Sequence, residues 1–335
     1  MLLSPAIMAL VGVSVVVTLL MLLAAAFAIQ VLRFWDISSG SERQLNLERR
    51  TYLISTILTY AFVAELVSLL LFIYNAEEMS SQFVGAMCAT GVININGYGW
   101  PTLFLKVAIF FSGAAWLMLN ALDNKGYDYP LVKMKYGLLL FIVPMMVAEL
   151  AVQLLYFLNM DPDVITSCCG ALFTPESTGV AAEVSAVEPA TAMIALIVSG
   201  VATLLSGSWY LLKQKGGSLY AGLSVTSFVV ALVAIVSCVA LYIYEHPHHH
   251  CPFCILKPGH DFMGYYLYIP LFAATALALG IGITAPWRNI PSLAKVVVSD
   301  TRRFTWLSLI FFVLFYAVAA YAVASSNLTM MDVWW

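Results

Sequence analysis

The chemistry-bearing residues crowd into one short stretch. Residues 245–261 read Glu-His-Pro-His-His-His-Cys-Pro-Phe-Cys-Ile-Leu-Lys-Pro-Gly-His-Asp and contain all five histidines of the chain. Two chemistries fit it. Cys251 and Cys254 form a C-x-x-C dithiol, in which one thiolate attacks while the other resolves and neighbouring imidazolium lowers the attacking thiol's pKa. Alternatively, His246, His248, His249, His250, Cys251, Cys254 and His260 supply imidazole and thiolate ligands for a soft cation such as Zn or Cu. A plain loop-stapling disulfide with solvated histidines is the bland alternative. Ile255 stands where covalent c-type haem attachment requires a histidine, and no helix core holds the histidines of a bis-His b-type haem, so neither haem is expected.

Three more cysteines join the question. Cys168 and Cys169 are adjacent in Thr-Ser-Cys-Cys-Gly, where a mutual bond strains the intervening peptide, so separate partners are expected. Cys88 and the C-x-x-C pair are the candidates. Five cysteines cannot all pair within one chain. The sixth, Cys238, sits inside an apolar segment and reads as a packed side chain.

The frame that must position these residues is a membrane bundle. The 335-residue chain is 62% hydrophobic and 10% charged, too little charge to coat a water-facing surface of this size. Its 15 basic and 18 acidic side chains give a net charge of −3, which excludes a nucleic-acid-binding face. Eight stretches are long enough to cross the hydrocarbon, at about 5–32, 51–75, 102–122, 136–158, 190–212, 219–244, 264–285 and 304–325. The fold class expected is an all-α integral membrane protein of eight transmembrane helices, forming a single polytopic domain over 1–335. The first stretch has no basic leader and is read as a retained helix.

Orientation follows the lysines and arginines. Thirteen of the 15 lie in loops on one side, leaving Lys106 and Lys257 on or towards the other. Both termini, and the loops carrying Cys88, Cys168, Cys169, Cys251 and Cys254, are therefore expected on the outer, periplasmic side of a cell inner membrane, where disulfides persist. A repeat supports the grouping. Val63-Ala64-Glu65-Leu66 aligns with Val147-Ala148-Glu149-Leu150 at an offset of 84 residues, and helical hairpins at 5–101, 102–189, 190–263 and 264–335 are the units expected.

Glu65 and Glu149 each precede the outward Asn of their segment by ten residues, roughly 15 Å deep. Two acidic groups at that depth need a reason. They are structural and protonated, or carry protons, or hold the head group of a quinone. Lys106 reaches towards either glutamate or snorkels outwards. Pro144 and Pro270 are expected to adjust packing within their helices.

Three functions compete. The first is a membrane redox protein that passes electrons from outer-face cysteines to the quinone pool, with an extracytoplasmic redox protein as partner. Its logic, with no alignable residues, resembles the bacterial disulfide-bond generators and vitamin K epoxide reductases, whose core has four helices. Cys251 and Cys254 are the reactive pair, Cys168 and Cys169 a second relay, and Cys88 a partner. The second is soft-metal binding or transport. The third is a non-catalytic membrane anchor subunit of a respiratory electron-transfer complex, with the cysteine loops clasping a cytochrome or iron-sulfur partner outside and other membrane subunits as neighbours. Membrane lipid contacts the chain in all three.

Overall fold

The computed structural model describes residues 4–161 and 180–328. Among the described residues the structure is helical and without strands, and eight helices are long and apolar enough to cross a membrane. They are α1 (Pro5–Phe34), α2 (Glu42–Met79), α3 (Gly99–Asp123), α4 (Val132–Leu158), α5 (Pro189–Lys213), α6 (Gly217–Tyr244), α7 (Met263–Thr284) and α8 (Ala294–Ser325). Their number and order match the apolar stretches. Large apolar side chains such as Leu23, Leu205 and Ile310 point outwards, as lipid-facing positions do, and the eight helices fit a multi-pass membrane protein.

Two helices begin about ten residues before their apolar stretch. In α2 the extra turns are Glu-Arg-Gln-Leu-Asn-Leu-Glu-Arg-Arg, whose charged residues hide them from an apolarity criterion. Contacts with the preceding turn and within the helix secure this start: Gln44 accepts the Asp36 N–H at 3.1 Å and donates to Glu48 at 2.8 Å, and Arg43 lies 3.3 Å over the Phe34 ring. α4 and α7 run continuously through Pro144 and Pro270.

The chain divides into two compact units. The first comprises Met1–Asn75, Ile93–Pro162 and Pro286–Val298. Within it α4 packs against α1 and α3. Its core joins Met21, Phe27 and Val31 of α1 to Leu58 and Phe62 of α2, Ile109 and Trp116 of α3, and Tyr136, Ile142 and Met146 of α4. Gly113 makes room for Phe62, since a Cβ there would lie 2.8 Å from the ring. Two hydrogen bonds cross this interior: Gln153 donates to Ser14 at 2.9 Å, and the Trp116 indole donates to the Lys135 carbonyl at 3.0 Å.

Lys135 departs from the sequence reading. Counted among the water-facing basic residues, it is instead fully buried, with its ammonium 2.7 Å from Asp123 Oδ2 and 3.1 Å from Asn120 Oδ1. Asp123 Oδ1 also accepts the Leu131 N–H at 2.8 Å. One ion pair thereby locks the α3–α4 turn, because a buried charge without its partner would be costly.

The second unit comprises Ala76–Val92, Asp163–Ala285 and Ser299–Trp335. α6 packs against α5 and α7. The α5–α6 turn spans three residues and needs left-handed backbone at Gln214 and Gly216, the latter at φ +85°. Hydroxyls tie the helices: Tyr220 and Ser308 lie 2.7 Å apart, Ser308 donates to the Ala274 carbonyl at 2.7 Å, and Ser227 meets Tyr316 at 2.6 Å. Near its end α6 widens into a π-helical turn, Ile235–Val239, before resuming as Ala240–Tyr244.

Candidate functional site: a buried three-cysteine centre

α6 stops at Glu245 in left-handed backbone, and the next loop folds as two short 3₁₀ turns, Cys254–Leu256 and Pro258–His260. Two tyrosines hold it from flanking helices. Tyr244 donates to the Cys251 carbonyl, and Tyr268 donates to the Pro252 carbonyl at 2.8 Å. The C-x-x-C backbone is thus fixed at consecutive carbonyls, which leaves the sulfurs as its variable part.

Cys88 approaches from the other side, just before the short helix Ala89–Ile93. Its Sγ lies 3.3 Å from Cys251 Sγ, and the three sulfurs of Cys88, Cys251 and Cys254 all lie within 4.8 Å of one another. Cys88 and Cys251 are fully enclosed and Cys254 is 7% exposed. Thr90 Oγ1 stands 3.1 Å from Cys251 Sγ.

Glu77, near the end of α2, clamps the two sulfur-bearing segments together. One oxygen accepts the Ala89 N–H at 2.8 Å, where the short helix begins, and the other lies 2.8 Å from the Lys257 ammonium. Lys257 also donates to the Met87 carbonyl, beside Cys88. Burial works against the Lys257 charge, but the Glu77 carboxylate and the nearby Cys254 and Cys88 sulfurs outweigh it and hold its pKa above the ordinary lysine value. The same proximity makes the ammonium a stabiliser of thiolate at those two sulfurs. Neither Glu77 nor Lys257 was singled out by sequence reasoning. The signal available was that Lys257 is one of only two basic residues outside the basic loops, three positions after Cys254.

The histidines lie around the loop rather than on the sulfurs. Among the described residues the grouped ligands are the three cysteines alone. His250 Nδ1 sits 3.0 Å from the Val236 carbonyl in the π-helical turn, His249 stacks on Tyr244 with ring centroids 4.0 Å apart, and His260 meets the same ring edge-on at 4.6 Å. His246 and His248 meet edge-on, with ring centroids 6.1 Å apart. Burial pushes the pKa values of His250 and His260 below the ordinary imidazole value. Cys238 is fully buried in the π-helical turn, apart from the sulfur group. Cys168 and Cys169 lie outside the described residues.

Glu65 and Glu149 belong to the first unit and come together with a basic residue there. Lys106 does not snorkel: it is 2% exposed, with its ammonium 2.7 Å from Glu149 Oε1 and donating to Ser68 at 2.8 Å. Glu65, one helical turn from Ser68, is equally enclosed.

No family model, no curated protein and no solved structure matches the chain. Its function is therefore argued from these geometries alone.

Proposed function

We propose that the three-cysteine centre is a thiol–disulfide exchange site that oxidises an extracytoplasmic dithiol and passes the electron pair to a lipid-dissolved quinone. The observation that carries this reading is the convergence of three sulfurs from separate positions in the chain, one pair already 3.3 Å apart. A disulfide is about 2.0 Å long, so closing that pair takes a movement of about 1.3 Å. Three sulfurs are the smallest set in which a bond can migrate, since one thiolate always remains to attack.

Cys254, the least enclosed of the three residues, meets the partner first. The partner thiolate bonds to Cys254 as the Cys251–Cys254 bond breaks, and Cys251 leaves as thiolate. The partner's second thiol then takes the partner sulfur, releasing Cys254. Two electrons and two protons now reside on the centre, and their transfer to a quinone gives quinol and restores the disulfide. Cys88 exchanges with Cys254 for Cys251 without net electron change, moving the bond between the accessible and the enclosed pair. Lys257 favours the thiolate that leaves at Cys254 or Cys88. Cys168 and Cys169 remain the proposed second relay.

Maleimide mass labelling tests this. Two more cysteines among Cys88, Cys251 and Cys254 should become modified after dithiothreitol than before it. An unchanged count ends the reading.

A second reading rests on the same three sulfurs. Thiolates on a zinc-like ion, with bonds of about 2.3 Å, sit roughly 3.8 Å apart, within the span of this group. A soft cation would then be held by sulfur, with the histidines shaping the loop. Untagged protein should contain near-stoichiometric metal, and a chelator without reductant should expose the thiols. Metal-free protein that binds no added Zn or Cu rejects it.

The orientation belongs to this proposal too. Both termini and the cysteine loops face the periplasm of an inner-membrane protein, because the basic loops stay cytoplasmic. The hairpins repeat in parallel, bringing successive outer loops to one face. A membrane-impermeant maleimide that labels Cys254 only after the cytoplasmic side is opened would reverse this topology.

A further inference from the structure

We propose that Glu65 is a proton-binding site in the apolar interior of the first unit, carrying one exchangeable proton beside the Lys106–Glu149 ion pair. The inference is independent of the sulfur chemistry. It begins with a count of charge. Lys106 brings one positive charge, and Glu149, 2.7 Å away, matches it. The ammonium's other hydrogen bond goes to Ser68. Glu65 is a second carboxyl with no second cation.

The surroundings offer it none. Of the ionisable groups on the helices packed here, Lys106 of α3 and Glu149 of α4 act on Glu65, and α1 has no ionisable side chain between residues 5 and 32. Glu65 Oε1 is enclosed and has no hydrogen-bond partner. A carboxylate needs several donors when removed from water, and an unpaired buried anion neutralises instead. The chemical species that completes Glu65 is therefore a proton. Its release to aqueous base would take the three-residue group from net zero to net −1, and its return restores neutrality. A membrane protein with such a group has one site at which proton uptake can be coupled to another event.

The experiment uses the full chain in lipid nanodiscs. Infrared spectra at neutral pH should contain a protonated-carboxyl C=O band that shifts in D₂O, falls as pH rises, and disappears in Glu65→Gln. Thermal unfolding separates the two acids. Glu65→Gln, which mimics the protonated acid, should leave the midpoint near that of the parent, whereas Glu149→Gln removes the carboxylate 2.7 Å from the Lys106 ammonium and should lower it clearly. Three results overturn the proposal: a band that Glu65→Gln leaves intact, a band that does not exchange in D₂O, or a midpoint lowered as far by Glu65→Gln as by Glu149→Gln.

Discussion

The first unit buries charge, and the second buries sulfur and hydroxyl. Lys106–Glu149 and Lys135–Asp123 have side chains at most 1% exposed, whereas the second unit joins its helices through Tyr220, Ser308, Ser227 and Tyr316 and encloses the three-cysteine centre as well as Cys238. The difference teaches where each kind of chemistry can be spared. An enclosed ion is tied to its partner because the alternative is an uncompensated charge. A thiol behaves as a small apolar group, so it can be buried at little cost and kept for reaction.

The sharpest way to break this contrast is at Lys135. Lys135→Met should destabilise the protein by roughly 3–5 kcal/mol, as measured by denaturation in detergent, because Asp123 loses the ammonium that compensates its buried carboxylate. Adding Asp123→Asn should recover most of the loss, since the amide oxygen still accepts the Leu131 N–H. If Lys135→Met cost nothing, the buried pair would not be what holds the turn.

Removing sulfur should cost much less. Cys251→Ala is expected to lower stability by about 1 kcal/mol, the centre of the distribution for point substitutions, while abolishing the dithiothreitol-dependent change in labelling. Smaller again is Tyr220→Phe, at about 0.6 kcal/mol, because Ser308 retains its bond to the Ala274 carbonyl. Thermal unfolding of the two variants orders them.

The smallest effect concerns pH. Burial lowers the His260 pKa from the ordinary 6.5, so the unfolded loop takes up its proton first as pH falls. The stabilising contribution is therefore complete above 6.5, declines below it, and levels off beneath the folded-state value. An imidazole NMR titration should show a His260 midpoint below 6.5, and a midpoint above it would contradict the enclosure by Tyr244.

The sequence showed the bundle more readily than the centre. Each spanning helix announces itself as an apolar run, since lipid demands it. The early starts of α2 and α8 were hidden by the charged residues in their first turns. Glu65 and Glu149 were picked out as a pair by the offset of 84 residues, but the choice of Lys106 for Glu149 was one of two open outcomes. Lys135 was misplaced because a lysine near a helix start looks like any loop lysine until Asp123 is found beside it. Cys88 and the C-x-x-C pair were recognised as candidates from residue type. Their meeting depends on Glu77, Lys257 and two tyrosine hydroxyls, for which no local pattern exists.

The π-helical turn at Ile235–Val239 gives the loop an unusual dependence on chain length. Such a turn accommodates an extra residue in an otherwise α-helical course, and a single α-helical step rotates every later residue of the helix by about 100°. Deleting one residue there would let α6 run as a regular helix to its end, losing the Val236 carbonyl that faces His250 and swinging Tyr244 off the Cys251 carbonyl. The direction in which the dithiol points is thus written two helical turns upstream, as an insertion rather than as a side chain.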